Sequence, residues 1–104
     1  MSINVVGRNV EVTEAIRGYA QEKLSRIIKY FDHVVEASVI LSIEKIKHRA
    51  EITLRVFGQD MHCEADGEDM YSAIDVLSDK ADRMVLKLKE RKQTKAVSQK
   101  RSFT

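Results

Sequence analysis

Apolar residues recur along this chain with two periods, and the changes from one to the other mark its elements. Ile3 and Val5 alternate with Ser2 and Asn4 ahead of Gly7, the pattern of a short strand over residues 2–7. Thr13 then offers a helix N-cap, with Glu14 at the favourable end of the helix dipole. Ile16, Ala20, Leu24, Ile27 and Phe31 follow at spacings of three and four, so a helix runs to about Tyr30 and ends at Asp32-His33. From Val34 the period becomes two. Val35, Ala37, Val39, Leu41 and Ile43 fall on one side, with Glu36, Ser38, Ser42 and Glu44 mostly on the other. The polar stretch from Glu44 to Arg49 turns the chain into a second such strand, with Ile52, Leu54 and Val56 inward, and the two form a hairpin. Gly58-Gln59-Asp60 signals another turn, and Met61, Cys63 and Ala65 mark a fourth, antiparallel strand. After Gly67-Glu68, Asp69 caps a long helix whose apolar positions Ile74, Leu77, Ala81, Met84, Val85 and Leu88 carry it to about Arg91.

The order is β-α-β-β-β-α. Each strand has a single apolar face, so both helices must cover the same side of one four-stranded sheet, and the fold class is an α+β two-layer sandwich. Residues 1–92 make one domain, and 93–104, with no periodic face, read as a flexible basic tail. A chain of 104 residues without proline and with 43% hydrophobic residues is suited to one compact domain of long regular elements. The N-terminus lacks a signal-peptide pattern, and no apolar run is long enough to span a bilayer. With a lone cysteine, Cys63, this points to a cytoplasmic protein.

Charge changes the picture more than composition does. Residues 1–79 hold nine Lys/Arg against fourteen Asp/Glu, a net −5, whereas residues 80–104 hold nine against two, a net +7. Such concentration favours a polyanionic partner, and the helices show where it acts. At 100° per residue with Ile74 at zero, the apolar stripe of the second helix centres near about 330°, while Lys80, Arg83, Lys87 and Arg91 project at about 240°, 180°, 220° and 260°. Asp75, Asp79, Asp82 and Glu90 project on the opposite flank, so the signs are segregated rather than interspersed as i,i+4 pairs. In the first helix Lys23, Arg26 and Lys29 are displaced from the core stripe in the same angular sense, with Tyr19 and Tyr30 beside them. The two flanks are expected to build one basic surface that reads phosphates and backbone shape, as structured RNA is read. Catalysis finds no support: there is no phosphate-cradling glycine loop, Gly-x-Ser-x-Gly elbow or His-Glu-x-x-His pattern. His62 and Cys63 point to opposite faces of a strand and cannot chelate one metal together, and Cys63 reads as a small core residue. No catalytic or metal residue and no cofactor is assigned. The acidic cluster Asp66, Glu68 and Asp69 is explained by the helix N-terminus that follows it.

Several strings carry a resemblance. Asn9-Val10-Glu11-Val12-Thr13, Tyr30-Phe31-Asp32, Glu44-Lys45, and above all Gly67-Glu68-Asp69-Met70-Tyr71-Ser72-Ala73-Ile74-Asp75 followed by Asp79-Lys80 resemble the bacterial ribosome hibernation promoting factors and their kin, the ribosome-associated inhibitor, over residues 1 to about 91. The resemblance implies a fold similar to a double-stranded-RNA-binding domain and a non-enzymatic role. In that role the protein occupies the decoding region of the small ribosomal subunit, blocks transfer-RNA and messenger binding, inhibits translation and promotes inactive ribosome dimers in stationary phase. It implies ribosomal RNA contacts at Lys23, Arg26, Lys80, Arg83, Lys87 and Lys89. Lys89 projects outside the basic flank and Lys29 fits the flank better than the family pattern, so these two rank below the other five. Long members carry a second domain that dimerises ribosomes; this chain resembles the short form, which acts with a separate ribosome modulation factor. The alternatives are the inhibitor paralogue, which inactivates single ribosomes without promoting dimers, a general double-stranded-RNA-binding module, and a small enzyme or metal-binding protein using His62 and the acidic loop.

Overall fold

The computed structural model describes residues 3–30, 34–56 and 58–97. Its elements are β1 (Ile3–Gly7), α1 (Glu14–Tyr30), β2 (Val34–Glu44), β3 (Lys47–Val56), β4 (Gln59–Gly67) and α2 (Met70–Val97), in the expected β-α-β-β-β-α order. The strands lie in the order β1-β2-β3-β4. β1 is parallel to β2, while β2–β3 and β3–β4 are antiparallel, so the sheet is mixed. Both helices pack on one face. Between them and the sheet lies a core that includes Val5, Leu24, Val39, Leu41, Ile52, Leu54, Ile74 and Leu77, each at most 1% exposed. Burying a side chain of this size contributes about 1.5–3 kcal/mol, which makes this layer the main source of stability.

Local chemistry explains where the helices begin. Thr13 Oγ1 accepts a hydrogen bond from Ile16 N at 3.2 Å, and Asp69 Oδ1 accepts one from Ser72 N at 2.8 Å, so both predicted caps are made. Gly67 lets β4 run directly under the first turn of α2, since a Cβ there would sit 2.5 Å from the amide nitrogen of Ala73. The edge strands are covered from above. Arg17 donates to the carbonyl of Val5 and Gln21 to that of Ile3 on β1, while Lys80 donates to the carbonyl of Glu64 on β4.

Four expectations need correction. The core phase of β2 begins at Val34, which is fully buried, because a bulge between Val34 and Glu36 shifts the register by one residue there. Ser42, expected on the polar side, is 1% exposed, and its hydroxyl has no partner among the described residues. The hairpin turn is two residues, Lys45-Ile46, instead of the whole polar stretch: Lys45 adopts φ 57°, and pairing resumes at once with Glu44 opposite Lys47. Ile46 is left 87% exposed at its tip. Finally, α2 continues to Val97, into the stretch read as tail. Glu90 to Ala96 contains Arg, Lys, Gln and Ala and no Gly or Pro, so extending an existing helix is favoured even without an apolar face. Residues 98–104 lie outside the described residues.

Candidate nucleic-acid interface

Topology decides where the two basic flanks end up. A parallel β1–β2 pair joined through α1 makes α1 antiparallel to both strands, and α2, returning from β4, runs the same way. The contacts confirm that the helices are parallel: Tyr19 meets Tyr71 and Asp75, and Lys23 meets Asp75 and Ser78, advancing together along both helices. Flanks displaced in the same sense on parallel helices point in the same lateral direction. The flank of α1 therefore faces α2, and that of α2 faces away from α1, over the β4 edge.

The side chains follow this geometry. Lys23 Nζ lies 3.4 Å from Asp75 Oδ1 and 5.7 Å from the centre of the Tyr19 ring. Tyr19 donates to the same Asp75 oxygen at 2.5 Å and meets Tyr71 edge to face at 5.0 Å. That hydrogen bond from the neutral phenol, with burial and the nearby negative charge adding to it, raises the Tyr19 hydroxyl above its usual range. The Tyr19 hydroxyl is thus committed to holding the helices together, and Tyr30 lies outside the described side chains. On the far flank, Lys80 Nζ reaches down to Glu64 O at 3.0 Å, while Lys87 is exposed. Arg83 points away from the sheet and pairs with Asp79 at 3.0 Å, both side chains well exposed. Such a pair is weak in water and yields readily to a phosphate.

The structure therefore splits the two flanks only in part: Lys23 is turned between the helices and Lys80 over the β4 edge, while Arg26, Lys29, Arg83 and Lys87 stay exposed on the helical layer, and the signs are not fully apart, since Arg83 pairs with Asp79. Sequence spacing could not show this, because the lateral direction of a flank depends on the direction of its helix. Arg26 and Lys29 are exposed on α1, Lys29 in the last turn, where a cation complements the helix dipole. The side chains of Lys89 and Arg91 lie outside the described residues. What sequence reasoning missed is Asp75, the residue that ties Lys23 and Tyr19 of α1 to α2. Its signal was its place on the acidic flank one residue from the core position Ile74. As for the acidic cluster, Asp69 is taken up by the cap and Asp66 by Arg49, whose guanidinium lies 3.0 Å away and holds that carboxyl below the usual range. Cys63 faces the helices half-buried, and burial pushes its thiol up, away from thiolate chemistry. Among the described residues, no helix is long and apolar enough to cross a membrane.

Fold and charge together define a small α+β module that presents basic side chains from a two-helix layer. Residues 3–93 match the family model described as Sigma 54 modulation protein / S30EA ribosomal protein, and the chain belongs to that family. Ribosome hibernation promoting factors are similar to it: that of Azotobacter vinelandii is 44% identical over 91 residues, 88% of this chain and 85% of that one. That of Escherichia coli K12 is 42% identical over 91 residues, 88% and 96% of the two chains. Among solved structures, a ribosomal subunit interface protein from Coxiella burnetii superposes with a TM-score of 0.81 at 28% identity, covering 86% of this chain and 99% of that one. The Protein Y N-terminal domain from Thermus thermophilus gives 0.76 at 38% identity, covering 85% and 99%.

Proposed function

We propose that this chain is a ribosome hibernation factor of the short form, acting in the cytoplasm by binding and not by catalysis. It docks its helical layer on ribosomal RNA of the small subunit at the decoding region. There it blocks transfer-RNA and messenger binding and inhibits translation, and with a ribosome modulation factor alongside it promotes inactive ribosome dimers in stationary phase. The observation that carries this reading is the outward flank of α2, where Lys80, Arg83 and Lys87 are all exposed on one side of a family member whose relatives are named for ribosome hibernation. A row of cations on a rigid helix meets phosphates without reordering the chain, so its attraction is not offset by a large loss of conformational freedom. Arg26 and Lys29 on α1, and Lys89 and Arg91 further along α2, extend the footprint, while Lys23, turned between the helices toward Asp75, contributes less than the outward Lys87.

Co-sedimentation with ribosomes at physiological salt, beside binding to a generic RNA duplex, tests the reading. The chain should pellet with small subunits and ignore the duplex. The K80E/R83E/K87E variant should stay in the supernatant while keeping its circular dichroism. Lys80 also covers the β4 edge, so R83E/K87E serves as a second variant that leaves that hydrogen bond intact. Equal binding to the duplex, or full sedimentation of both variants, would overturn the reading.

A further inference from the structure

The sheet face turned away from the helices has chemistry that RNA docking does not use. Register sets Glu51 of β3 directly opposite Glu64 of β4, and Thr53 opposite His62. Two like charges facing each other across the gap between neighbouring strands repel, and guanidiniums offset them only from a distance, Arg8 at 3.7 Å from Glu51 and Arg49 at 3.7 Å from Glu64. His62 stands beside that gap, its Nε2 3.7 Å from Glu51 Oε1 and 4.0 Å from Glu64 Oε1. One ligand atom from each of the three residues lies within 4.8 Å of the other two. The far ring nitrogen, Nδ1, is 3.1 Å from Thr53 Oγ1, which orients the imidazole so that Nε2 faces the carboxylates. Metal-binding histidines are commonly held in this way, with the second nitrogen anchored to an oxygen outside the ligand set.

We propose that Glu51, His62 and Glu64 form a binding site for a divalent transition-metal ion, with Zn2+ as its reference ligand. One imidazole and two carboxylates suit a borderline ion better than Mg2+, which prefers an all-oxygen shell. Ligand atoms around tetrahedral Zn2+ stand about 3.4 Å apart at bond lengths of about 2.1 Å, so small rotations of these side chains close the site and leave a fourth position to water. The neighbouring guanidiniums do not block it. Arg8 meets Glu51 through Oε2, the oxygen turned away from His62. Arg49 lies 3.7 Å from Glu64 but 3.0 Å from Asp66, so it can release the first and keep the second.

The test is titration of the full chain with ZnCl2 by calorimetry after chelator treatment, with amide NMR spectra recorded alongside. One saturable site is expected, with shifts or broadening centred on Glu51, His62 and Glu64. His62→Gln and Glu64→Gln should each weaken binding at least about tenfold, and Thr53→Val, which leaves all three ligands in place, by about 10–100-fold. Cys63→Ser should change nothing. The proposal is overturned by the absence of saturable Zn2+ binding, by full affinity in His62→Gln, by weakening confined to Cys63→Ser, or by shifts centred elsewhere. The spectra of the unsubstituted chain decide the matter should a variant fail to fold.

Discussion

The basic flanks of α1 and α2 look alike on a helical projection and end in opposite surroundings. Lys23 of α1 is turned into the groove between the helices, where it pairs with Asp75 and lies 5.7 Å from the centre of the Tyr19 ring. Lys80 of α2 is turned outward over the β4 edge, and Lys87 is exposed further along the helix. The difference comes from neither helix alone but from their running parallel, which the parallel β1–β2 pair imposes through α1. Equal charge patterns thus take on unequal roles: the inner one secures helix against helix, and the outer one is available to an anion.

That contrast can be broken at several levels. Leu77 is fully buried beneath α2, and Leu77→Ala should cost about 2–5 kcal/mol, read as a lowered denaturant midpoint; an unchanged midpoint would mean that α2 is not seated as described. Charge reversal on the outer flank should flatten the salt dependence of ribosome binding by about 0.7–0.9 in the log–log slope for each phosphate that is no longer neutralised. Lys23→Gln should flatten it by clearly less than Lys87→Gln does, because Lys23 already has a carboxylate partner. An equal or larger effect at Lys23 would erase the distinction between the flanks. Asp75→Asn, which removes the charge shared by Tyr19 and Lys23, should lower the melting temperature modestly without weakening ribosome binding. The smallest effect concerns acid. The Ser72 amide holds the Asp69 carboxyl, and the Arg49 guanidinium the Asp66 carboxyl, below the ordinary value of 3.8. Their contribution to stability is therefore complete above that value and disappears as pH falls through the lower folded-state values. Asp69→Asn, which keeps a capping oxygen, should make thermal stability between pH 5 and about 2 less steep in pH.

Much of this molecule is legible in its sequence, and what is missing has a common cause. Periodicity identifies all six elements and most of the core, because the inward face of a strand or helix is a local property: Leu24, Leu54, Leu77 and Leu88 are all buried. Caps at Thr13 and Asp69 are equally local. The bulge that brings Val34 inward depends instead on pairing with Val56, and the burial of Ser42 on what packs around it. The extension of α2 is invisible to a search for an apolar face, because residues of good helix propensity can prolong a helix without one. In the candidate site, spacing identifies Lys80, Arg83 and Lys87 as exposed cations but not which way each flank points. The Glu51, His62 and Glu64 group is out of reach for the same reason, since alternation places each on the open face but only register places them together.

The most direct test of the central claim is amine-modification footprinting of the chain, free and ribosome-bound, read lysine by lysine by mass spectrometry. Docking through the outer flank of α2 predicts that Lys80 and Lys87 lose reactivity on binding and that Lys23, turned between the helices toward Asp75, changes far less. Protection of Lys23 with Lys80 and Lys87 still reactive would contradict it.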